Sequence, residues 1–241
     1  LTELLPHKFL VIANGWIEGL TVAAIVLGTL VGGALIQPDI AEHVIAWHLP
    51  FLDTRCEVAV AIIGVFYLIA ALLNLKIPDT GVDHKPLHSN PSYLLHEFEH
   101  CLKLLWRDKL GQISLSVTTL FWGASATLQF IVIKWAEANL RLDLSEASMV
   151  QGVVAVGVAI GSVLAARLIS LRKSVRVISL GIAMGLLVNV MIFVHSTPLA
   201  MMLMIMVGAL AGFFVVPMNA LLQHRGHILM GAGHSIAVQN F

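Results

Sequence analysis

The chain has 241 residues, of which 58% are hydrophobic and only 12% charged, with a mean hydropathy of +0.90. A soluble domain carries about 25% charged residues, so a soluble enzyme, a nucleic-acid binder and a disordered chain are excluded. The 14 Lys+Arg balance 14 Asp+Glu, which leaves no basic field for nucleic acid. Two cysteines, Cys56 and Cys101, make neither a disulfide framework nor a metal-ligand spacing. These features predict an all-α integral membrane protein. The absence of an initiator Met and of a signal peptide, with a new segment opening at Phe241, predicts an internal piece of a longer polytopic chain.

Six segments reach the roughly 20 apolar residues that a membrane-crossing helix needs. The first is Phe9–Ile36. Glu18 lies about ten residues, or about 15 Å, into it, near the bilayer centre. A lone carboxylate there costs roughly 2.5–3.5 kcal/mol, so it requires a role. One role is a cavity residue that meets a cationic group or forms a charge gate; the other is a protonated or hydrogen-bonded Glu that pins two helices. Asn14, one turn earlier on the same face, is its candidate partner. After the 37–57 link comes the second span, Val58–Leu75.

The 76–109 link changes character along its length. Three of the eight prolines fall in 78–91, whereas Leu94, Phe98, Leu102 and Leu105 recur at helical spacing opposite His96, His100, Lys103 and Arg107. That pattern predicts a basic-rimmed amphipathic helix at the cytoplasmic surface. His96, Glu97 and His100 also match H-E-x-x-H, a zinc-hydrolase signature on a helix. The motif sits in the charged link, outside any span and without an obvious third ligand, so a solvated helix face is the favoured reading.

The third span, Leu110–Ile133, is unusually polar: Thr118, Trp122, Ser125 and Gln129 follow one helix face. Facing lipid, that stripe would be unfavourable, so it is expected to line a cavity or meet another helix. Lys134 and Trp135 close the span as a snorkelling cation beside an aromatic anchor. The link 134–148 leads to Met149–Leu168, a tight basic turn, Val175–Val194, a turn at 195–198, and Leu199–Leu222. Asn189, mid-span in the fifth, is read as an inter-helix hydrogen bonder. Pro217 and Asn219 interrupt the sixth, where a kink is either a gating hinge or a packing bend.

Small residues four apart occur at Gly15/Gly19, Gly28/Gly32, Gly157/Gly161, Gly181/Gly185 and Gly208/Gly212, which predicts close helix packing. Lys and Arg fall 11 to 3 across the two sets of loops when the spans alternate in direction. The rule that basic loops stay inside then puts residue 1 and the linker in the cytoplasm. Two spans, a long linker and four spans divide the chain into 1–76, 77–109 and 110–241, as in a two-lobed transporter built from repeats.

Four blocks carry a family resemblance: Ala13-Asn14-Gly15 with Glu18, Leu120 to Ala124 with Thr127 and Leu128, Ala211 to Gly226, and Gly231 to Asn240. In this order they resemble the bacterial lysophospholipid transporters of the major facilitator superfamily. The resemblance implies a major facilitator type helical bundle, of which this chain holds about helices 5–10 of 12, with the linker joining the two halves. It implies a protein of the bacterial inner membrane that flips lysophospholipids, lysophosphatidylethanolamine among them, to the cytoplasmic leaflet. A cytoplasmic acyltransferase, fused to the transporter in some relatives, would re-acylate them there.

By the same resemblance Asn14, Glu18, Trp122 and Gln129 become substrate-binding residues, joined by Thr118 and Ser125 from the polar stripe of the third span, and Pro217 and Asn219 become gating residues. The implied arginine of relatives at position 129 is Gln129 here, which offers only neutral hydrogen bonds. His224 stands in place of an acid before Arg225, which is expected to weaken a cytoplasmic ion pair. No metal or organic cofactor and no enzyme activity are implied. The rival readings are a small-solute transporter on the same fold and a zinc intramembrane protease using His96, Glu97 and His100.

Overall fold

The computed structural model describes residues 2, 4–35, 54–77, 81, 91–142 and 144–240, and among them the regular structure is entirely helical. The described residues form eight α-helices in order: α1 Leu10–Leu35, α2 Arg55–Asn74, α3 Pro91–Arg107, α4 Lys109–Leu140, α5 Leu144–Leu168, α6 Ile178–Val190, α7 Thr197–Met230 and α8 Ala232–Asn240. Short 3-10 turns at His7–Phe9, Leu171–Val177 and Met191–Phe193 lead into α1 and flank α6. Among the described residues five helical segments are long and apolar enough to cross a membrane, and the apolar part of α5, Gly152–Leu168, is shorter. The chain is therefore a multi-pass membrane segment. Residues 36–53, most of the proline-bearing stretch 78–91, Asp143 and Gly32's packing lie outside the described residues.

Chain contacts group the molecule into two units, Leu1–Val22 with Lys85–Phe241, and Ala23–His84. The smaller unit holds the rest of α1 and α2. A capping box starts α2: the Glu57 N–H donates to Thr54 Oγ1 at 3.3 Å, and the Thr54 N–H donates to a Glu57 carboxylate oxygen at 2.7 Å. Two of the free donors at the helix start are thereby satisfied.

In the larger unit α7 is central. Gly157 and Gly161 of α5 meet Gly208 and Gly212 of α7 backbone to backbone. A Cβ at Gly157 would strike the Ile205 carbonyl, and one at Gly161 the Ala209 carbonyl. Without lipid-excluding hydrophobic drive, van der Waals contact of this kind is what holds helices together in a membrane. Gly15 brings α1 against α5, where an added Cβ would sit 2.6 Å from Ala166 Cβ, and a Cβ added at Gly181 would sit 2.9 Å from the Phe214 ring. Gly19, Gly28 and Gly185 have nothing within 4 Å of such a Cβ, so only part of the predicted glycine pattern forms contacts. Leu10, Val11, Ala165, Val215, Val216 and Ala220 complete the seam among α1, α5 and α7.

Two helices outrun their expected ends. α4 continues past Ile133 to Leu140, so Lys134 and Trp135 lie within it, and Lys134 pairs with Glu137 at 2.9 Å on the same helix. It stops where Arg141 takes a left-handed conformation at φ 55°. α7 runs past Leu222 to Met230, ends at Gly231 with φ 86°, and contains Pro217 without a break in the helix. Falling hydropathy ended the predicted spans, whereas the helices persist until a residue takes a non-helical backbone. At 34 residues α7 is about 51 Å long, longer than the roughly 30 Å hydrocarbon layer.

The linker helix α3 forms where the amphipathic spacing predicts a helix, and its apolar face packs inward: Cys101 and Leu105 are buried with Leu115, Leu222 and Val238, flanked by Phe98 and Leu102. α3 thus docks on α4, α7 and α8, while Leu94 remains exposed. Asn189 also differs from expectation, since its amide donates to Gly185 O at 2.8 Å within its own helix instead of crossing to another.

Candidate functional site

A cavity of about 510 Å³ with a mixed polar and apolar lining opens between α4, α7 and α8. Its walls are Thr118, Thr119 and Trp122 from α4, Asn219, Leu222 and Gln223 from α7, and Gln239 from α8. These walls offer two hydroxyls, an indole and three carboxamides without a formal charge. Thr118 is buried and turns its hydroxyl back onto the Ser114 and Leu115 carbonyls at 2.8 and 3.1 Å, as threonines do in apolar helices. The Trp122 ring is 52% exposed and meets the Phe121 ring edge to face at 5.5 Å. Gln239 donates to Ser235 Oγ at 3.0 Å, one turn back on α8.

Asn14 adjoins this cavity through Gln223. The Asn14 amide donates to Gln223 Oε1 at 2.9 Å, and Gln223 Nε2 donates back to Asn14 Oδ1 at 3.0 Å. Asn14 also donates to Leu10 O at 2.9 Å, so this buried side chain is fully engaged. The expected Asn14–Glu18 partnership is therefore replaced by a cross-helix amide pair. Glu18 is half-buried on α1 and makes no hydrogen bond or ion pair among the described residues. Further along the α4 stripe, Ser125 is half-buried and Gln129 exposed, and neither lines the cavity. Pro217 is fully buried two residues before Asn219.

An ion pair ties the start of α4 to α7. Asp108 caps α4 by accepting from the Gly111 N–H at 2.7 Å, and Arg225 of α7 donates to both its carboxylate oxygens, through Nε at 2.8 Å and through an Nη2 contact. The Arg225 hydrogen bond holds the Asp108 carboxyl below its usual range, with burial opposing. An acid beside Arg225 in sequence is thus unnecessary, because Asp108 supplies it from α4. His224 instead lies edge-on against the His7 ring, with centroids 4.5 Å apart.

The H-E-x-x-H helix is tied into this region too. Glu97 of α3 faces His234 Nε2 of α8 at 3.1 Å, while His96 and His100 are exposed. Among the described residues no group of three His, Cys, Asp or Glu is placed to hold a metal ion.

The sequence model of the Major Facilitator Superfamily matches residues 1–237. The chain belongs to that superfamily. Over all 241 residues it is 37% identical to the lysophospholipid transporter LplT of Yersinia enterocolitica, of which it covers 56%. It is 36% identical to the transporter of the same name from Yersinia pestis strain Pestoides F, of which it covers 55%. The chain thus spans a little over half the length of the curated relatives it matches. No solved structure matches it.

Residues missed from sequence alone are Gln223, Gln239, Thr119 and Asp108. Gln223 lies just past the predicted end of the last span, but it stands four residues after Asn219, the helical spacing that puts both on one face. Gln239 falls in the closing block Gly231 to Asn240, at the start of a next helix where spacing alone marks no polar face, and Asp108 reads as one charge among many at a linker end.

Proposed function

We propose that this chain is part of a lysophospholipid transporter that moves lysophospholipids across the bacterial inner membrane to the cytoplasmic leaflet by alternating access. The observation that carries the reading is 37% identity, over the whole of this chain, to a protein named lysophospholipid transporter. The cavity supports it physically. A charged or zwitterionic headgroup cannot enter hydrocarbon unaided, whereas Trp122, Asn219, Gln223 and Gln239 offer hydrogen-bond donors, acceptors and an aromatic face in one place.

An ammonium group suits the Trp122 face, and a phosphate suits the amide N–H groups. The acyl chain needs no site of its own, since apolar helix faces border the lipid. Thr118 shapes the wall, and Asn14 acts through Gln223. Glu18, Ser125 and Gln129 lie outside the cavity and are placed along the headgroup's path, with Pro217 and Asn219 where α7 would flex. Residue 1 and the linker 77–109 face the cytoplasm in this reading, on the side where an acyltransferase re-acylates the delivered lipid. The chain halves are 1–76 and 110–241.

The test is lysolipid-dependent thermal stabilisation and uptake in the full-length protein. A ligand at 100 times its Kd stabilises by about 2.7 kcal/mol. Trp122→Ala and Asn219→Leu are expected to lower lysophosphatidylethanolamine uptake about tenfold each, because each removes a cavity contact of about 1.4 kcal/mol. Stabilisation by a small polar solute and none by lysolipid would replace the substrate while leaving the fold untouched.

A further inference from the structure

One wall of the cavity is held by a residue outside it. Gln223 lines the cavity from α7, yet its amide is fixed in a two-point pair with Asn14 of α1. A carboxamide has two N–H donors and an oxygen with two lone pairs. The pair engages one donor and one lone pair of Gln223, which leaves one of each. Asn14 keeps no donor in reserve, because its two N–H groups go to Gln223 and to the Leu10 carbonyl.

Asn14 is itself 7% exposed and does not line the cavity. Its surroundings set its position. Gly15 beside it lets α1 approach α5, and Leu10 and Val11 pack into the seam with Val215, Val216 and Ala220 of α7. A glutamine otherwise turns through several rotamers, and fixing one in advance removes that ordering step from ligand binding.

We propose that Asn14 is a positioning residue that aims the remaining N–H and lone pair of Gln223 at the cavity, so that affinity for a phosphate-bearing headgroup requires α1 to be docked on α7. The proposal rests on the headgroup reading of the cavity. When α1 separates from α7, Gln223 loses its partner, turns freely and no longer presents a directed donor to the phosphate. Coupling of this kind is reciprocal, so a bound headgroup in turn favours the docked α1. Release of the lipid and parting of the two helices are then one event.

The experiment uses full-length protein in detergent, with lysophosphatidylethanolamine as probe. Asn14→Ser keeps a hydroxyl that can bond the Leu10 carbonyl but is too short to reach Gln223; Asn14→Thr is a second variant with the same logic if the first folds poorly. Each is expected to weaken lysolipid binding about tenfold, and combination with Gln223→Leu to weaken it no further than Gln223→Leu alone, as for residues acting as one unit.

A docking readout is independent of affinity. With native cysteines replaced by Ser, Ala220→Cys sits in the fully buried α1–α7 seam and reacts with a maleimide only when the helices part. Lysolipid is expected to slow that reaction when Asn14 is present and to leave it unchanged with Asn14→Ser. Wild-type affinity in both Asn14 variants, losses that multiply in the double variant, or lysolipid that speeds the labelling each overturns the proposal. A full-length wild type that binds no lysolipid overturns the headgroup reading itself, and the positioning role with it.

Discussion

The two flanks of α7 are built on opposite principles. Toward α5 the helix presents Gly208 and Gly212 to Gly157 and Gly161, and the backbones touch. Toward α4 and α8 it presents Asn219, Leu222 and Gln223, and a cavity of about 510 Å³ remains. Glycine removes the side chain that would keep backbones apart, so the α5 flank is dry and closely fitted. Larger polar side chains on the other flank hold the helices apart and furnish the space between them. One helix thereby supplies both a fixed bearing surface and a binding wall, and its Arg225 is paired with Asp108 at the start of α4.

The sharpest way to break this contrast is to enlarge the dry flank. Gly161→Leu places a side chain where even a Cβ collides with the Ala209 carbonyl. Overpacking costs about 1–3 kcal/mol and more where only backbone is available to yield. The variant is expected to lose folded yield after detergent extraction, read by size-exclusion chromatography, and a wild-type profile would refute the interlock.

A smaller effect is expected on the wet flank. Asp108→Asn keeps a cap for the Gly111 N–H but removes the charge facing Arg225. We expect a lower thermal midpoint, equivalent to about 1 kcal/mol for a partly exposed pair. The pH dependence has a definite sign. Because the carboxyl is held below its usual value, the folded state binds fewer protons than the unfolded state in the window between the two pKa values. The contribution is complete above the ordinary aspartate value of about 3.9 and fades as pH falls through the depressed one. Wild type should therefore lose its margin over Asp108→Asn in acid; an unchanged margin there would remove the pair from the account.

The smallest effect separates glycines that touch from glycines that do not. Gly19→Ala meets nothing within 4 Å, and is expected to be neutral or stabilising by up to about 1 kcal/mol through backbone entropy. Gly157→Ala, at the same kind of spacing, collides with Ile205. Equal thermal midpoints for the two variants would mean that the interlock does not discriminate between them.

How the sequence relates to these features depends on range. Apolar run length located the membrane helices, because it reflects a requirement each segment meets alone. Helix ends were less legible: α4 and α7 run on to Arg141 and Gly231, where backbone conformation and not hydropathy ends them. Spacing showed glycines four apart but not their partners, so Gly157 and Gly185 looked alike. The polar face of α4 was visible as a stripe, yet the cavity touches it at Thr118 and Trp122 and leaves Ser125 and Gln129 beyond its lining. Asn14 looked like a companion of Glu18 because both are on one face of one helix; its partner, Gln223, is 209 residues away, a separation no local pattern encodes.

The placement of α7 has an evolutionary consequence. The same 34 residues carry the glycine seam, the amide that meets α1, the cavity wall and the Arg225 pairing with Asp108, and Gly231 ends them before α8. A replacement that rotates this helix by even a few degrees disturbs several neighbours together. Substrate preference on such a frame is therefore expected to drift through exchanges on the α4 and α8 walls, with α7 conserved as the common reference against which those walls diverge.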